Sequence, residues 1–223
     1  MLTGGSTTSD NGYETELLLT EMDLNQIKKR TGLATERNNT YISLAAEFIS
    51  DNAGQPVTPI VTSRSQKADE YVPDTTQPFL RQFVLDVNEG KLTLSFSETV
   101  NISTIDPTAI TLQNMVNGAE ASRVYNLSGG VPADALYEFQ FDLYMTADDL
   151  NAIKAFTDLG TGTSDTYLAI QVGAIEDMNS NPLIERSSFS ALEAFDHELD
   201  MTPPTLRNFT FDLDERGSTP YFL

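Results

Sequence analysis

Apolar and polar residues alternate along much of this chain with the period of two that turns one face of a strand toward a core. Phe79, Phe83, Leu85 and Val87 share one parity, and Leu92, Leu94 and Phe96 follow an Asn88-Glu89-Gly90 turn signal. The pattern predicts strands over Phe79 to Val87 and Lys91 to Phe96, then shorter ones over Ala109 to Gln113 and Ser122 to Leu127. Asp106-Pro107, Asn117-Gly118 and Gly129-Gly130 break the runs between them. Tyr137 to Met145 and Tyr167 to Val172 complete the set, and seven or so short strands over this length predict an all-β sandwich. Helical spacing interrupts the strands once. Leu150, Ile153 and Phe156 recur every three residues behind Thr146, which is placed to cap the helix with Asp149 as its reciprocal partner three positions on.

The same pattern occurs twice. Thr20 to Lys28 returns as Thr146 to Lys154, Thr40-Tyr41 as Thr166-Tyr167, and Asp74 to Leu80 as Asp200 to Leu206, all at an offset of 126. Residues 13–74 and 139–200 share 17 identities in 62 ungapped pairs, where unrelated sequences would share roughly four. Tandem duplication accounts for this. The chain then divides into 1–73, the latter part of one repeat, 74–199, a complete repeat, and 200–223, the start of a following one. Met1 to Gly5 matches Asn126 to Gly130, deep inside the next unit. The expectation is a window on a longer array, or a subunit whose open ends are completed by neighbours.

Charge narrows the partners. Asp and Glu number 33 against 13 Lys and Arg, a net of −20, and the complete repeat carries 19 against 5. Phosphate contacts need clustered Lys and Arg, so no nucleic-acid partner is expected, and anionic membrane surfaces are disfavoured for the same reason. No apolar stretch approaches the ~20 residues that span a bilayer, so no membrane insertion is expected in this segment. The acidity is read as surface solubility, with divalent-cation binding as the alternative. Cysteine is absent, which excludes disulfides, thiolate zinc sites and cysteine nucleophiles.

Candidate chemistry is sparse, and no catalytic, cofactor or metal residues are assigned. His197, the single histidine, aligns with Tyr71 beside the junction between units and is read as a packing residue. Asp177-x-Asn179-x-Asn181 has the opening of a calcium loop, but Pro182 stands where glycine is needed and Ser188 where a bidentate Glu belongs, so a hydrogen-bonded turn is expected and calcium is not favoured. Asp23 and Asp149 are read as helix caps rather than ligands. Tyr41 and Tyr167, each entering a strand after a loop, fit either a tyrosine corner or an ordinary strand tyrosine. Four Asn-x-Ser/Thr sequons, at Asn38, Asn101, Asn126 and Asn208, are candidate N-glycosylation sites, with Asn38 and Asn101 expected in loops and Asn208 facing away from Phe209 and Phe211.

Leu92 to Val100 (Leu-Thr-Leu-Ser-Phe-Ser-Glu-Thr-Val), Ile105 to Leu112, and Ile175 to Leu183 (Ile-Glu-Asp-Met-Asn-Ser-Asn-Pro-Leu) resemble the bacterial-type Ig-like modules of S-layer proteins and large adhesins. Such modules typically carry Leu-Thr-Phe-Ser-Glu-Pro-Val early and an Asp-x-x-Gly-Asn-Pro-Leu turn near the end. Thr99 replaces the proline, Ser180 the glycine, and the helix is an elaboration. The resemblance implies tandem Ig-like sandwiches acting as a non-enzymatic structural segment of an extracellular fibre or surface appendage. Its partners would be neighbouring copies of the same repeat, with glycans as further decoration. Alternatives are the stalk of a ligand-binding cell-surface adhesin, or accessory modules of an extracellular enzyme.

Overall fold

A computed structural model describes residues 1–133 and 139–211, and the backbone of 218–222. Among the described residues the regular elements are mostly strands, arranged in six small sheets, with two α-helices. The first part contains β1 (Gly5–Ser6), β2 (Leu18–Leu19), α1 (Glu21–Lys28), β3 (Tyr41–Ile42) and β4 (Gln66–Lys67). Residues 74–199 hold β5 (Leu80–Asp86), β6 (Lys91–Phe96), β7 (Val100–Asn101), β8 (Ile110–Gln113), β9 (Val124–Asn126), β10 (Gly130–Pro132), β11 (Gln140–Met145), α2 (Ala147–Lys154), β12 (Tyr167–Ile170), β13 (Glu176–Asp177), β14 (Leu192–Glu193) and β15 (Asp196–Glu198). A final pair, β16 (Leu206–Phe211) and β17 (Ser218–Phe222), follows.

Two sheets enclose the core of residues 74–199. One has the order β10-β11-β6-β5-β15, and the other β14-β12-β8-β9. Leu80, Phe83, Leu85, Leu92, Leu94, Phe96, Phe141 and Leu143 from the first sheet share one buried cluster with Ile110, Leu112, Leu168 and Ile170 from the second. The rings of Phe96 and Phe141 stack across neighbouring strands at 5.8 Å. The other face of the first sheet is polar, where Asp142 accepts from Thr93 Oγ1 at 2.5 Å and meets Lys91 Nζ at 3.1 Å. Alternation therefore does what the sequence implies along most of β5, β6 and β11, but Phe79 and Phe139 at the strand starts are exposed, as is Val172 beyond β12. Leu80 is buried while Phe79 is exposed, because the β5–β6 register shifts between Leu80 and Gln82 and inverts the parity of the strand's first residues. The strand expected from Tyr137 begins at Gln140, and Tyr137 itself lies outside the described residues.

Helix α2 carries the chain from β11 in one sheet to β12 in the other. Its inner face buries Ile153, and Leu150 packs on the β5–β6 turn so closely that a Cβ on Gly90 would stand 2.7 Å from Leu150 Cδ2. Gly90 also has φ +70°, so only glycine meets both demands there. Thr146 Oγ1 accepts from the Asp149 amide at 3.1 Å, the expected cap. The expected reciprocal bond is replaced by a longer reach. The fully buried Asp149 carboxylate accepts from the Ser128 amide at 3.0 Å and from Tyr125 Oη at 2.8 Å, tying the helix start to β9 and the segment after it. Burial raises the pKa of Asp149, but these donors outweigh it and hold the group below its ordinary 3.8. Burial and the same bond push Tyr125 up to about 12.

The first part repeats this design. Thr20 caps α1 as Thr146 caps α2, and Asp23 takes the amides of Thr3 and Gly4. The β1–β2 register pairs Gly5 with Leu19 as Gly130 pairs with Met145. The β3–β4 pairing, Tyr41 with Lys67, matches Tyr167 with Glu193. Isolated bridges repeat as well, Leu44–Ile60 as Ile170–Arg186 and Ser50–Pro56 as Glu176–Pro182.

Replacing Asp149 by Asn should cost about 1.5–3 kcal/mol of unfolding free energy near neutral pH, the worth of hydrogen bonds to a charged group. The sign on acidification follows from the depressed pKa. Stability from Asp149 is present above 3.8 and is lost as pH falls through the folded value, so the difference between wild type and Asp149→Asn should shrink in that window. Urea unfolding of both proteins across the acid range reads it directly.

Candidate functional site

The junction between 1–73 and 74–199 brings largely withdrawn charged and polar side chains from both parts into contact. Asn25 and Lys28 on α1 reach across it. Thr99, at the end of the β6–β7 turn, donates its amide to Asn25 Oδ1 at 3.1 Å and its hydroxyl to Asn25 O at 3.2 Å, and this contact is buried. Proline at this position could not make the first bond, because it has no amide hydrogen.

Lys28 Nζ lies 2.6 Å from Asp74 Oδ2 and is hydrogen-bonded to Glu98 Oε2. All three side chains are largely withdrawn from solvent. Burial lowers the Lys28 pKa, but the two carboxylates more than compensate and hold it above its ordinary value. Asp74 is likewise raised by burial and brought below its ordinary value by Lys28 and the Thr76 amide. Glu98 goes the other way, because burial exceeds the stabilisation that Lys28 provides. A second ion pair, Arg81 with Glu21 at 2.7 Å, bridges the same junction at the surface.

Asp74 is held from behind. Its carbonyl accepts from Asn179 Nδ2 at 3.3 Å and Asn181 Nδ2 at 3.1 Å, while its Oδ1 caps the Thr76 amide at 3.0 Å. The asparagines come from the sequence that resembles a calcium loop, and the structure gives it the expected hydrogen-bonded form. Asp177 Oδ1 accepts from the amides of Asn179 at 2.8 Å and Asn181 at 2.7 Å. Asp51 does the same with Ala53 and Gln55 in the first part. Ser180 has φ +65° where Gly54 has φ +79°, so a serine sits in the left-handed region that glycine occupies in the other copy.

Carboxylate oxygens of Asp74, Glu98 and Asp177 lie within 4.8 Å of one another. The Lys28 ammonium already engages two of these groups, and its charge offsets theirs. The cluster was not singled out in the sequence because its members are far apart in the chain. One signal was available: Asn25, Lys28 and Asp74 are three of the identities between the copies, matching Asn151, Lys154 and Asp200. The Lys154–Asp200 pair recurs at 3.0 Å.

Other candidate residues lie apart from this joint. His197 is in β15 beside Leu85 and donates from Nε2 to Gly160 O at 2.8 Å, a packing contact. Tyr167 is half-buried and Tyr41 exposed, and among the described residues neither hydroxyl has a hydrogen-bond partner, which fits the ordinary strand tyrosine. Asn38 lies in a short 3-10 turn and accepts from Lys67 Nζ at 2.5 Å. Asn101 ends β7 and accepts from Ser103 Oγ at 2.7 Å, within its own sequon. Asn126 is exposed in β9, bonded to Thr111, and Asn208 is exposed in β16. Compared with protein-family models, with curated proteins and with solved structures, the chain matches none.

Removing the cation while leaving the buried carboxylates should be costly. Lys28→Met should destabilise the docking of α1 on the β6–β7 turn by on the order of 3 kcal/mol. Hydrogen exchange should show the amides of α1 losing protection while β5 and β6 keep theirs, and adding Glu98→Gln should recover part of the loss. Ser180→Gly should raise unfolding free energy by about 0.5–1 kcal/mol, since it relieves a left-handed serine at an exposed turn. A thermal melt of the two proteins compares them.

Proposed function

We propose that this chain is a non-catalytic structural segment of an extracellular fibre or cell-surface appendage, built from tandem Ig-like sandwich units set end to end. The observation that carries this reading is the joint at Lys28, Asp74 and Glu98. A flexible linker between independent domains needs no interlocking contacts. Here Val72-Pro73-Asp74 leaves few spare residues, and the first residue after the proline is fixed by a lysine from one side and two asparagines from the other. The two copies have diverged at most positions, yet Asn25, Lys28 and Asp74 are retained in both. Retention of joint residues is what a stalk or fibre requires, where orientation between units is the property in use.

Charge supports the same role. The complete unit's net of −14 makes like units repel laterally at low ionic strength, which favours an extended array over a collapsed one. The partners are then neighbouring copies of the repeat.

Small-angle scattering should give the profile of a semi-rigid pair of bodies across residues 1–199, and Lys28→Met should broaden it toward a hinged ensemble. Free hinging in the wild-type protein would reject the reading.

A further inference from the structure

Lys28 Nζ is a primary amine held against two carboxyl groups, and such a trio has chemistry that a plain ion pair lacks. The nitrogen lies 2.6 Å from Asp74 Oδ2 and is hydrogen-bonded to Glu98 Oε2. The side chains of Lys28, Asp74 and Glu98 are 17%, 18% and 7% exposed. Lys91 with Asp142 and Lys154 with Asp200 make longer and wetter pairs, at 3.1 Å and 3.0 Å, with side chains between 26% and 33% exposed. The joint therefore combines close contact, withdrawal from water and a second carboxyl group beside the amine.

Asp74 is presented to that amine in a fixed pose. Its carbonyl accepts from Asn179 Nδ2 and Asn181 Nδ2, and its Oδ1 accepts from the Thr76 amide at 3.0 Å. Oδ2 is left toward Lys28, and a donor already sits on the oxygen where negative charge grows when a nucleophile adds to Cγ. Glu98 is suited to carry protons. Burial, and after it the Asp74 and Asp177 carboxylates, raise its pKa against the pull of Lys28.

We propose that Lys28 and Asp74 condense within the folded chain to an amide joining Nζ to Cγ, with Glu98 as the proton carrier. The ion pair is the uncondensed form, and because the Lys28 pKa is held above its ordinary value the reaction is slow and runs through a minor neutral form. Glu98 takes one proton from Nζ and delivers it to Asp74 Oδ2. The free amine adds to Cγ, the nitrogen gives up a second proton by way of Glu98 to the same oxygen, the Cγ–Oδ2 bond breaks, and water leaves. Nζ keeps one hydrogen, Glu98 ends as it began, and no oxidant or further reactant takes part. Free amines and acids do not condense appreciably in bulk water, but groups held in contact gain an effective molarity on the order of 10⁵–10⁸ M. The product ties α1 to the start of the complete unit by a bond that salt cannot screen. This inference stands on the geometry of the joint and does not need the fibre reading.

Intact mass of the denatured full chain reads the bond directly. The expected mass falls short of the sequence mass by one water, and trypsin should leave the chain uncut after Lys28 and release a branched peptide that contains Lys28 and Asp74. Asp74→Asn should form the same bond with loss of one ammonia in place of water. Glu98→Gln should keep its full sequence mass while circular dichroism shows its strands retained, and Lys28→Arg should keep its full mass as well. The wild-type mass and the branched peptide decide the matter whether or not a variant folds. A wild-type chain that retains its full mass after prolonged incubation at neutral pH overturns the proposal. So does a water loss that maps elsewhere, such as cyclisation of an aspartate onto its own backbone, or a Glu98→Gln protein that condenses as fast as wild type. Scattering separates this from the structural-segment reading: full mass with a stiff joint rejects the bond and leaves that reading standing, whereas a linked chain with a hinged joint rejects the reading and keeps the bond.

Discussion

Lys28 Nζ is an ammonium taken largely out of water, and it stays charged because Asp74 and Glu98 flank it. Withdrawing such a group from solvent costs several kcal/mol per ion unless partners of good geometry surround it. That requirement fixes four separate pieces of chain relative to one another. Lys28 comes from α1, Asp74 from the linker, and Glu98 from the β6–β7 turn. Asn179 and Asn181, on the turn after β13, fix the Asp74 backbone. A joint of this kind resists bending because a small rotation would leave a buried carboxylate unpaired.

The helix that carries Lys28 is itself placed by a buried carboxylate. Asp23 binds the amides of Thr3 and Gly4, as Asp149 binds that of Ser128. In each copy the residue combines two jobs, since its own amide is capped by a threonine while its side chain satisfies donors from an earlier segment. The second copy adds Tyr125. These two carboxylates, which composition alone counts as surface charge, are internal ties.

Thr99 and Ser180, each in a turn, have different physical status. Thr99 gains a buried hydrogen bond across the junction that proline could not form. Ser180 gains nothing comparable at an exposed turn whose backbone is left-handed, and Gly54 shows what suits that position. Thr99 belongs to the joint, and Ser180 is a local cost tolerated by a stable turn.

Period-two alternation determined β5, β6, β8, β11 and β12, and the threonine-capped spacing determined α2, because these depend on neighbours in sequence. The internal repeat determined the unit's length and the correspondence of its parts, down to the turns at Asp51 and Asp177. Strands such as β7, β13, β14 and β15 were not legible. They are two or three residues long and exist by pairing with distant segments, as β15 does with β5. The inversion at Leu80 was likewise invisible, since a bulge is a property of two strands together. The Thr146–Asp149 cap follows from local spacing, but the other partners of Asp149 do not, because Tyr125 and Ser128 approach it only after α2 folds back against the chain. The joint lay furthest from sequence reasoning: Lys28, Asp74 and Glu98 look like ordinary surface charges along the chain. Only the tertiary structure brings them together and removes the water, and desolvation is what turns three common side chains into a fixed junction.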